Sequence, residues 1–145
     1  MMAKQKYIAA RTADILPGQR KLVEIADRKI VIFNLGGEYF ALNDRCPHEG
    51  GSLCTGKLAA LTVSSQPGEY TWTREGEFIR CPWHGWEFDI RTGRSVCDPR
   101  SVRTRLYDVK IEHGSAALDE IASEELLVAE TFAVRVEDDY VVVEV

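Results

Sequence analysis

Two short loops, each with one cysteine and one histidine among glycines and prolines, constrain this chain more than any other feature. The first begins at Cys46 and reads CPHEGGSL, and the second begins at Cys81 and reads CPWHGWEFD. Together with His48 and His84, the two cysteines form a set of two thiolates and two imidazoles. Such ligands suit zinc or iron–sulfur and suit magnesium or calcium badly. The four residues are therefore candidate metal ligands, and the fold has to bring both loops to one place.

The other residues of the loops fit a small inorganic core. Glycines allow the backbone to approach closely and to point N–H groups at electron-rich bridging sulfides. The prolines stiffen each loop and so limit the entropy that is lost when the loop wraps around a metal.

The motifs C-P-H-x-G-G-x-L and C-P-W-H-G-W-x-F-D-x-x-T-G resemble the cluster-binding signature of Rieske ferredoxins and of Rieske domains in ring-hydroxylating oxygenases. The resemblance is strong over residues 44–99. It implies one [2Fe–2S] cluster per chain, with Cys46 and Cys81 on one iron and His48 and His84 on the other. It also implies a further loop that closes over the cluster, with Asp98-Pro99 at the matching position.

The fold class indicated by the sequence is all-β and mainly antiparallel. We expect a single domain over residues 1–145, a Rieske-like β-sandwich whose cluster-binding part spans about residues 44–99. Apolar alternation predicts a tight hairpin around Asp27, and Gly36-Gly37 is a strong turn signal. A second hairpin is expected from residues 132–136 and 140–145. Alternation in its second strand predicts Val141, Val143 and Val145 on one face and Tyr140, Val142 and Glu144 on the other.

One segment favours a helix, and two segments are longer than the family usually has. Residues 116–127 place apolar side chains on one face, with Ser115 as a possible N-cap, although an irregular insertion fits nearly as well. Between the two motifs, a hairpin is expected to be inserted at about residues 59–78, and residues 103–131 are also long. Both additions could shape a partner surface.

Composition excludes several classes of function. The chain has 18 Lys and Arg against 23 Asp and Glu, a net charge of −5 that argues against a nucleic-acid partner. No stretch approaches the length of apolar residues that crosses a membrane, and the N-terminus lacks the apolar run of a signal peptide. We therefore expect a cytoplasmic protein, in a compartment where cysteines are more often metal ligands or free thiols than disulfides.

The remaining cysteines and histidine are predicted to have no role at the metal. Cys54 and Cys97 could in principle pair with each other, but small buried thiols are favoured in a reducing compartment. His113, beside Gly114, is expected to be an exposed turn histidine.

High-potential respiratory Rieske proteins have a serine and a tyrosine that donate to sulfur. The matching positions here are Trp86 and Phe88, which lack hydroxyl groups. This chain therefore resembles the low-potential, ferredoxin-like branch.

The leading functional hypothesis is a carrier that passes single electrons from a flavin-containing reductase to a terminal oxygenase, without being an enzyme itself. A mononuclear iron oxygenase site needs two histidines and a carboxylate, and only His113 remains for one. The alternatives are a Rieske-like small subunit of a larger reductase, such as an assimilatory nitrite reductase, and a structural Cys₂His₂ zinc module. The sequence gives no indication of oligomeric state.

Overall fold

The computed structural model describes residues 4–47, 50–82, 85–128 and 133–145. Within them the chain forms ten strands, two short 3₁₀-helices and one α-helix, α1 (Gly114–Ala122). The strands are β1 (Lys6–Arg11), β2 (Arg20–Ile25), β3 (Arg28–Leu35), β4 (Glu38–Asn43), β5 (Lys57–Gln66), β6 (Glu69–Arg80), β7 (Glu87–Asp89), β8 (Leu106–His113), β9 (Leu126–Val128) and β10 (Asp139–Glu144).

The strands form two sheets. The larger has the order β2-β3-β4-β8-β10-β1-β9, and the smaller has the order β5-β6-β7. Every pairing is antiparallel except that of β9 with β1, which is parallel. The predicted all-β, mainly antiparallel class is confirmed. The smaller sheet contains a long β5–β6 hairpin in the region where an inserted hairpin was expected.

The two turns predicted in the first half of the chain are present. Ala26 and Asp27 join β2 to β3 with φ values of 50° and 63°, the left-handed conformations of a turn whose twist matches the flanking strands. Gly36 and Gly37 join β3 to β4 with φ values of 63° and 100°, which glycine adopts without strain.

Strand β3 is buried on both faces and connects two cores. Ile30 and Ile32 point into the main core, whereas Val31 and Phe33 point into a second core that contains both loop cysteines. The main core comprises Ala9, Ala10, Ile15, Val23, Ile25, Ile30, Ile32, Ala41, Tyr107, Val141 and Val143. The second, which we name the cysteine core, comprises Val31, Phe33, Leu42, Cys46, Leu53, Ile79, Cys81, Phe88 and Ile90.

Strand β10 divides its side chains as the alternating valines predicted. Val141 and Val143 lie in the main core, and Val145 packs against it. Tyr140 and Val142 lie on the other face, in a third core with Ile8, Ala117 and Leu126. This third core is where α1 packs onto the sheet.

The predicted C-terminal hairpin is wrong. Strand β10 pairs with β8 and β1, and residues 133–136 form no strand, while Phe132 lies outside the described residues. A strand that is buried on both faces needs a neighbour on each side, and β1 and β8 supply longer partners than residues 133–136 could.

The predicted helix begins earlier and ends sooner than residues 116–127. His113, rather than Ser115, occupies the N-cap position, and the helix ends at Ala122. Glu124 has a φ of 65°, a left-handed conformation that stops the helix. Leu126 then lies in β9 and is buried in the third core. Because burial of Leu126 stabilises this strand, the residues predicted as the last turn of the helix form part of β9 instead.

Among the described residues, no helix is long and apolar enough to cross a membrane.

Candidate metal centre

Loop 1, residues 46–51, closes on itself through two backbone hydrogen bonds. The Cys46 N–H donates to the Gly51 carbonyl oxygen at 2.8 Å, and the Gly50 N–H donates to the Cys46 carbonyl oxygen at 2.8 Å. The φ of Gly50 is 82°, in the left-handed region that a residue with a Cβ rarely adopts. Glycine at this position therefore allows the loop to turn back on its cysteine.

Loop 2, residues 81–86, closes in the same way. The Cys81 N–H donates to the Trp86 carbonyl oxygen at 2.7 Å, and the Gly85 N–H donates to the Cys81 carbonyl oxygen at 3.1 Å. Gly85 has a φ of 71°, again left-handed. The two loops thus share one backbone frame, with cysteine in first place and a left-handed glycine in fifth.

The shared frame explains the unequal spacing of the two motifs. His48 is third in its loop and His84 is fourth, so C-x-H and C-x-x-H are two positions on one type of loop. Both histidines lie outside the described residues, as do Glu49 and Trp83. The structure therefore places two of the four predicted ligands, the cysteines, and leaves the histidines as predictions.

The two loop cysteines are buried together. Cys46 and Cys81 are each 1% exposed and belong to the cysteine core. All four cysteines lie in the described part of the chain, and none of them forms a disulfide. Among the described residues no group of three or more His, Cys, Asp or Glu side chains is arranged to hold a metal ion, and His48 and His84 stay predicted ligands.

Asp44 supports loop 1 from inside the protein. Its carboxylate, on a residue that is 4% exposed, accepts the Ser52 hydroxyl at 2.6 Å and the Cys54 N–H at 2.7 Å. Its backbone carbonyl accepts the Leu53 N–H at 2.7 Å. One buried residue therefore joins the segment before loop 1 to the segment after it, and sequence analysis missed this residue. Its place two residues before Cys46 was the available signal.

Arg20 ties the end of the first motif to strand β2. Its Nε donates to the Cys54 carbonyl at 2.8 Å, and its Nη2 donates to the Gly56 carbonyl at 2.6 Å. A Cβ on Gly56 would collide with the carbonyl oxygen of Arg80, the residue before Cys81. Glycine is thus required where the first motif passes against the start of the second.

Loop 2 is supported by an ion-pair network that sequence analysis also missed. Arg74 donates to Asp89 at 2.8 Å and to Glu77 at 3.3 Å, and Arg91 donates to Glu77 at 2.7 Å. The hydrogen bond from Arg91 is the largest cause that holds the pKa of Glu77 below its ordinary value. The network joins β6, β7 and the turn after β7, so it fixes the strand that follows loop 2.

The segment after loop 2 folds back beside both loops. The Thr104 N–H donates to the Gly93 carbonyl at 2.7 Å, and a Cβ on Gly93 would collide with the Thr104 carbonyl. Val102 packs against the cysteine core. The predicted closing position, Asp98-Pro99, lies between Gly93 and Val102 in the chain, and its relation to a cluster stays a prediction.

Residues 86 and 88 sit where they could affect a bound cluster. Phe88 is fully buried in the cysteine core, and Trp86 packs against that core while remaining half-buried. Neither side chain carries a hydroxyl, so neither can donate an O–H···S hydrogen bond.

The other sequence candidates are only partly as expected. His113 is exposed, as predicted, but it lies at the end of β8 rather than in a free turn, with Nδ1 2.9 Å from the Asp139 carboxylate. Cys54 is half-buried and burial raises the pKa of its thiol, whereas Cys97 is exposed. The expectation that Cys97 is buried is wrong, because it lies in the surface turn after loop 2.

The described part of the two loops fits a [2Fe–2S] cluster. Two buried thiols stand at the same position of two matching loops, and each loop has a left-handed glycine that brings backbone close to the site. An apolar core around the thiols excludes water from a sulfide-containing centre. The described residues therefore fit a binuclear centre in which each loop supplies one thiolate.

Comparison with known proteins agrees with this geometry. The family model described as the Rieske [2Fe-2S] domain matches residues 5–108. The 3-phenylpropionate/cinnamic acid dioxygenase ferredoxin subunit of Escherichia coli (strain K12) is 29% identical over 114 residues, which is 79% of this chain and 92% of that protein.

Solved structures share the fold. The ferredoxin of carbazole 1,9a-dioxygenase from Nocardioides aromaticivorans IC177 matches with a TM-score of 0.59 and 22% identity, over 74% of this chain and 90% of that one. A chain in the complex of reduced oxygenase and oxidised ferredoxin of carbazole 1,9a-dioxygenase matches with a TM-score of 0.58 and 20% identity, over 96% of this chain and 94% of that one. Since the family model covers well over half of the chain, this protein belongs to the Rieske [2Fe-2S] domain family.

Proposed function

We propose that this chain is the ferredoxin component of a multicomponent ring-hydroxylating dioxygenase and carries one electron at a time to the terminal oxygenase. The observation that carries the proposal is the pair of matching loops, each with a buried cysteine in first place. The named function of the E. coli relative, of which this chain spans 92%, supports the role of ferredoxin subunit. We further propose a flavin-containing reductase as the electron donor and the cytoplasm as the location.

In this proposal Cys46, His48, Cys81 and His84 hold the cluster. When bound, the cluster supplies a one-electron couple whose potential exceeds that of all-cysteine clusters, because neutral imidazoles replace two anionic ligands. The chain itself binds and orients the cluster through the two loop frames. The apolar cysteine core limits solvent access. Trp86 and Phe88 carry no hydroxyl group and so donate no O–H···S hydrogen bond to the cluster, which keeps the potential in the low part of the Rieske range.

Anaerobic purification with metal analysis tests the proposal. We expect a red-brown protein with two irons and two acid-labile sulfides per chain, bleached by dithionite, with the EPR signal of mixed nitrogen and sulfur ligation. A colourless protein with one zinc per chain would instead support the structural zinc module and end the proposal.

Histidine variants test the ligand assignment. His48→Ala and His84→Ala should each lose the cluster or hold it weakly, because each removes one of four ligands. His113→Ala is the matched control, since the His113 side chain is exposed and pairs with the exposed Asp139 carboxylate, and the variant should keep full cluster content. Equal damage from His113→Ala would show that the ligands are assigned wrongly.

A further inference from the structure

Charge is divided unevenly along this chain. Residues 114–138, which include α1 and β9, contain seven carboxylates and one arginine, whereas the whole chain has a net charge of −5. The rest of the protein is therefore close to neutral. Residues 91–105, which follow loop 2, contain five arginines and a single carboxylate, that of Asp98. The acidic net charge thus conceals a basic region next to the candidate metal centre.

Three of the arginines in and near this region stand on neighbouring segments. Arg94 and Arg103 face each other in an antiparallel bridge. The segment that contains Arg103 also lies against the end of β4, because the Thr104 hydroxyl donates to the Asn43 carbonyl at 2.9 Å. Arg45 follows two residues after Asn43. We name Arg45, Arg94 and Arg103 the arginine row.

The arginine row is exposed and not neutralised by the described residues. All three side chains are on exposed residues, and none has a hydrogen bond or ion pair with another described residue. Among the described residues, the carboxylates near the row are already engaged: Asp44 accepts hydrogen bonds from Ser52 and Cys54, and Asp98 accepts the Ser101 N–H at 3.3 Å.

The arginine row lies beside the candidate metal centre. Arg45 directly precedes Cys46, and Val102, next to Arg103, packs against the cysteine core that contains both loop cysteines. By contrast, α1 packs over the third core, on the far face of β10 from the main core. The basic and acidic regions therefore belong to different parts of the fold.

An exposed guanidinium without a carboxylate nearby is suited to binding one from another protein. Arginine presents a planar fork of N–H donors that matches a carboxylate, and it is enriched in protein interfaces. Charge arranged in this way also steers encounters, and an acidic region elsewhere on the molecule adds to the steering by repelling the same partner.

We propose that the arginine row is a docking surface for a redox partner that presents carboxylates around its site of electron exchange. The acidic residues of segment 114–138 repel such a partner, so they favour encounters in which the candidate metal centre of this protein faces the partner. The inference rests on the proposed electron-carrier function and adds the chemistry of the partner.

Two small redox probes test the sign of the charge at the centre. The reduced protein is oxidised in a stopped-flow instrument by hexacyanoferrate(III), a trianion, or by tris(phenanthroline)cobalt(III), a trication, at increasing ionic strength. A protein that acted as a uniform acid would react faster with the anion as salt is added. We expect the reverse, a rate with hexacyanoferrate(III) that falls several-fold as salt screens the row.

A matched pair of double variants assigns the effect to the row. Arg94→Gln/Arg103→Gln and the control Lys4→Gln/Arg11→Gln lower the net charge equally, and the control residues are exposed and lie outside both the row and segment 114–138. Midpoint potentials are measured so that rates are compared at equal driving force. The row variant should lose the low-salt advantage with the anion, and the control should keep it. Equal loss in both, or a rate that rises with salt in the wild type, would overturn the proposal.

A binding measurement removes the dependence on electron transfer. In calorimetric titration at low salt, poly-L-glutamate should bind the wild type and the control variant several-fold more tightly than Arg94→Gln/Arg103→Gln. Preferential binding of poly-L-lysine would instead favour a basic partner on segment 114–138 and would overturn the proposal. Missing iron and sulfide would contradict only the electron-carrier function, since the titration reports on the arginine row by itself.

Discussion

Replacing Asp44 with alanine should destabilise the protein from the base of loop 1. The carboxylate accepts the Ser52 hydroxyl at 2.6 Å and the Cys54 N–H at 2.7 Å, and the residue is 4% exposed. Alanine would leave both donors without this acceptor in a site that water enters poorly. Cys46 follows two residues later, so loosening this site should also loosen the loop that carries a proposed ligand.

The size of the effect follows from these contacts. A hydrogen bond to a charged acceptor contributes about 1.5–3 kcal/mol, and the cost of burying the carboxylate offsets part of the sum of two. We expect Asp44→Ala to lower the free energy of unfolding by about 3 kcal/mol and Ser52→Ala, which removes one donor, by about 1 kcal/mol. With a urea m-value of about 2 kcal/mol per molar, the midpoint for Asp44→Ala should fall by about 1.5 M.

The assay is anaerobic urea unfolding of the cluster-loaded protein, followed by far-UV circular dichroism and by visible absorption. Asp44→Asn is the conservative control, because it keeps the shape and one acceptor oxygen, and it should lie between the wild type and Asp44→Ala. The reasoning would be refuted by a midpoint for Asp44→Ala within the error of the wild type. It would also be refuted if Ser52→Ala were as damaging as Asp44→Ala.

Three further predictions concern the potential, the thiols and pH. Phe88→Tyr should raise the midpoint potential measured by voltammetry, because an O–H···S hydrogen bond favours the electron-rich reduced cluster; a lower potential would contradict this. Cys97 should react with a thiol reagent in the native protein well before Cys54, since Cys97 is exposed and burial raises the pKa of the Cys54 thiol; equal rates would count against this difference. A side-chain hydrogen bond with Glu112 raises the pKa of Glu120, so the stability that this group contributes is present at low pH and lost as pH rises through the raised pKa. Glu120→Gln should therefore gain stability over the wild type as pH increases from about 4 to about 8 in urea unfolding, and a pH-independent difference would rule out a raised pKa for Glu120.

Local signals in the sequence determined much of the fold. The turns at Asp27 and Gly36-Gly37 contain residues that tolerate left-handed conformations and lie between apolar runs, so short-range signals were sufficient to predict them. The alternation of Val141 and Val143 with Tyr140 predicted the two faces of β10 correctly, because side-chain direction in a strand alternates whatever the partner. The choice of partner is not a local property, and here the sequence-based expectation failed.

The candidate metal centre likewise combines features that are local in sequence with features that depend on the fold. Ligand types and spacing are encoded in adjacent residues, so the two motifs alone were sufficient to propose Cys46 and Cys81 as ligands, and the structure adds that both are buried in one core. The buried carboxylate of Asp44 and the arginine that binds the Cys54 carbonyl come from other parts of the chain, and only folding brings them to the loop. The sequence by itself thus determined the chemistry of the centre and the short-range turns. Tertiary structure decided strand partners, the end of α1 and the polar contacts that hold the loops, because each depends on burial against residues distant in sequence.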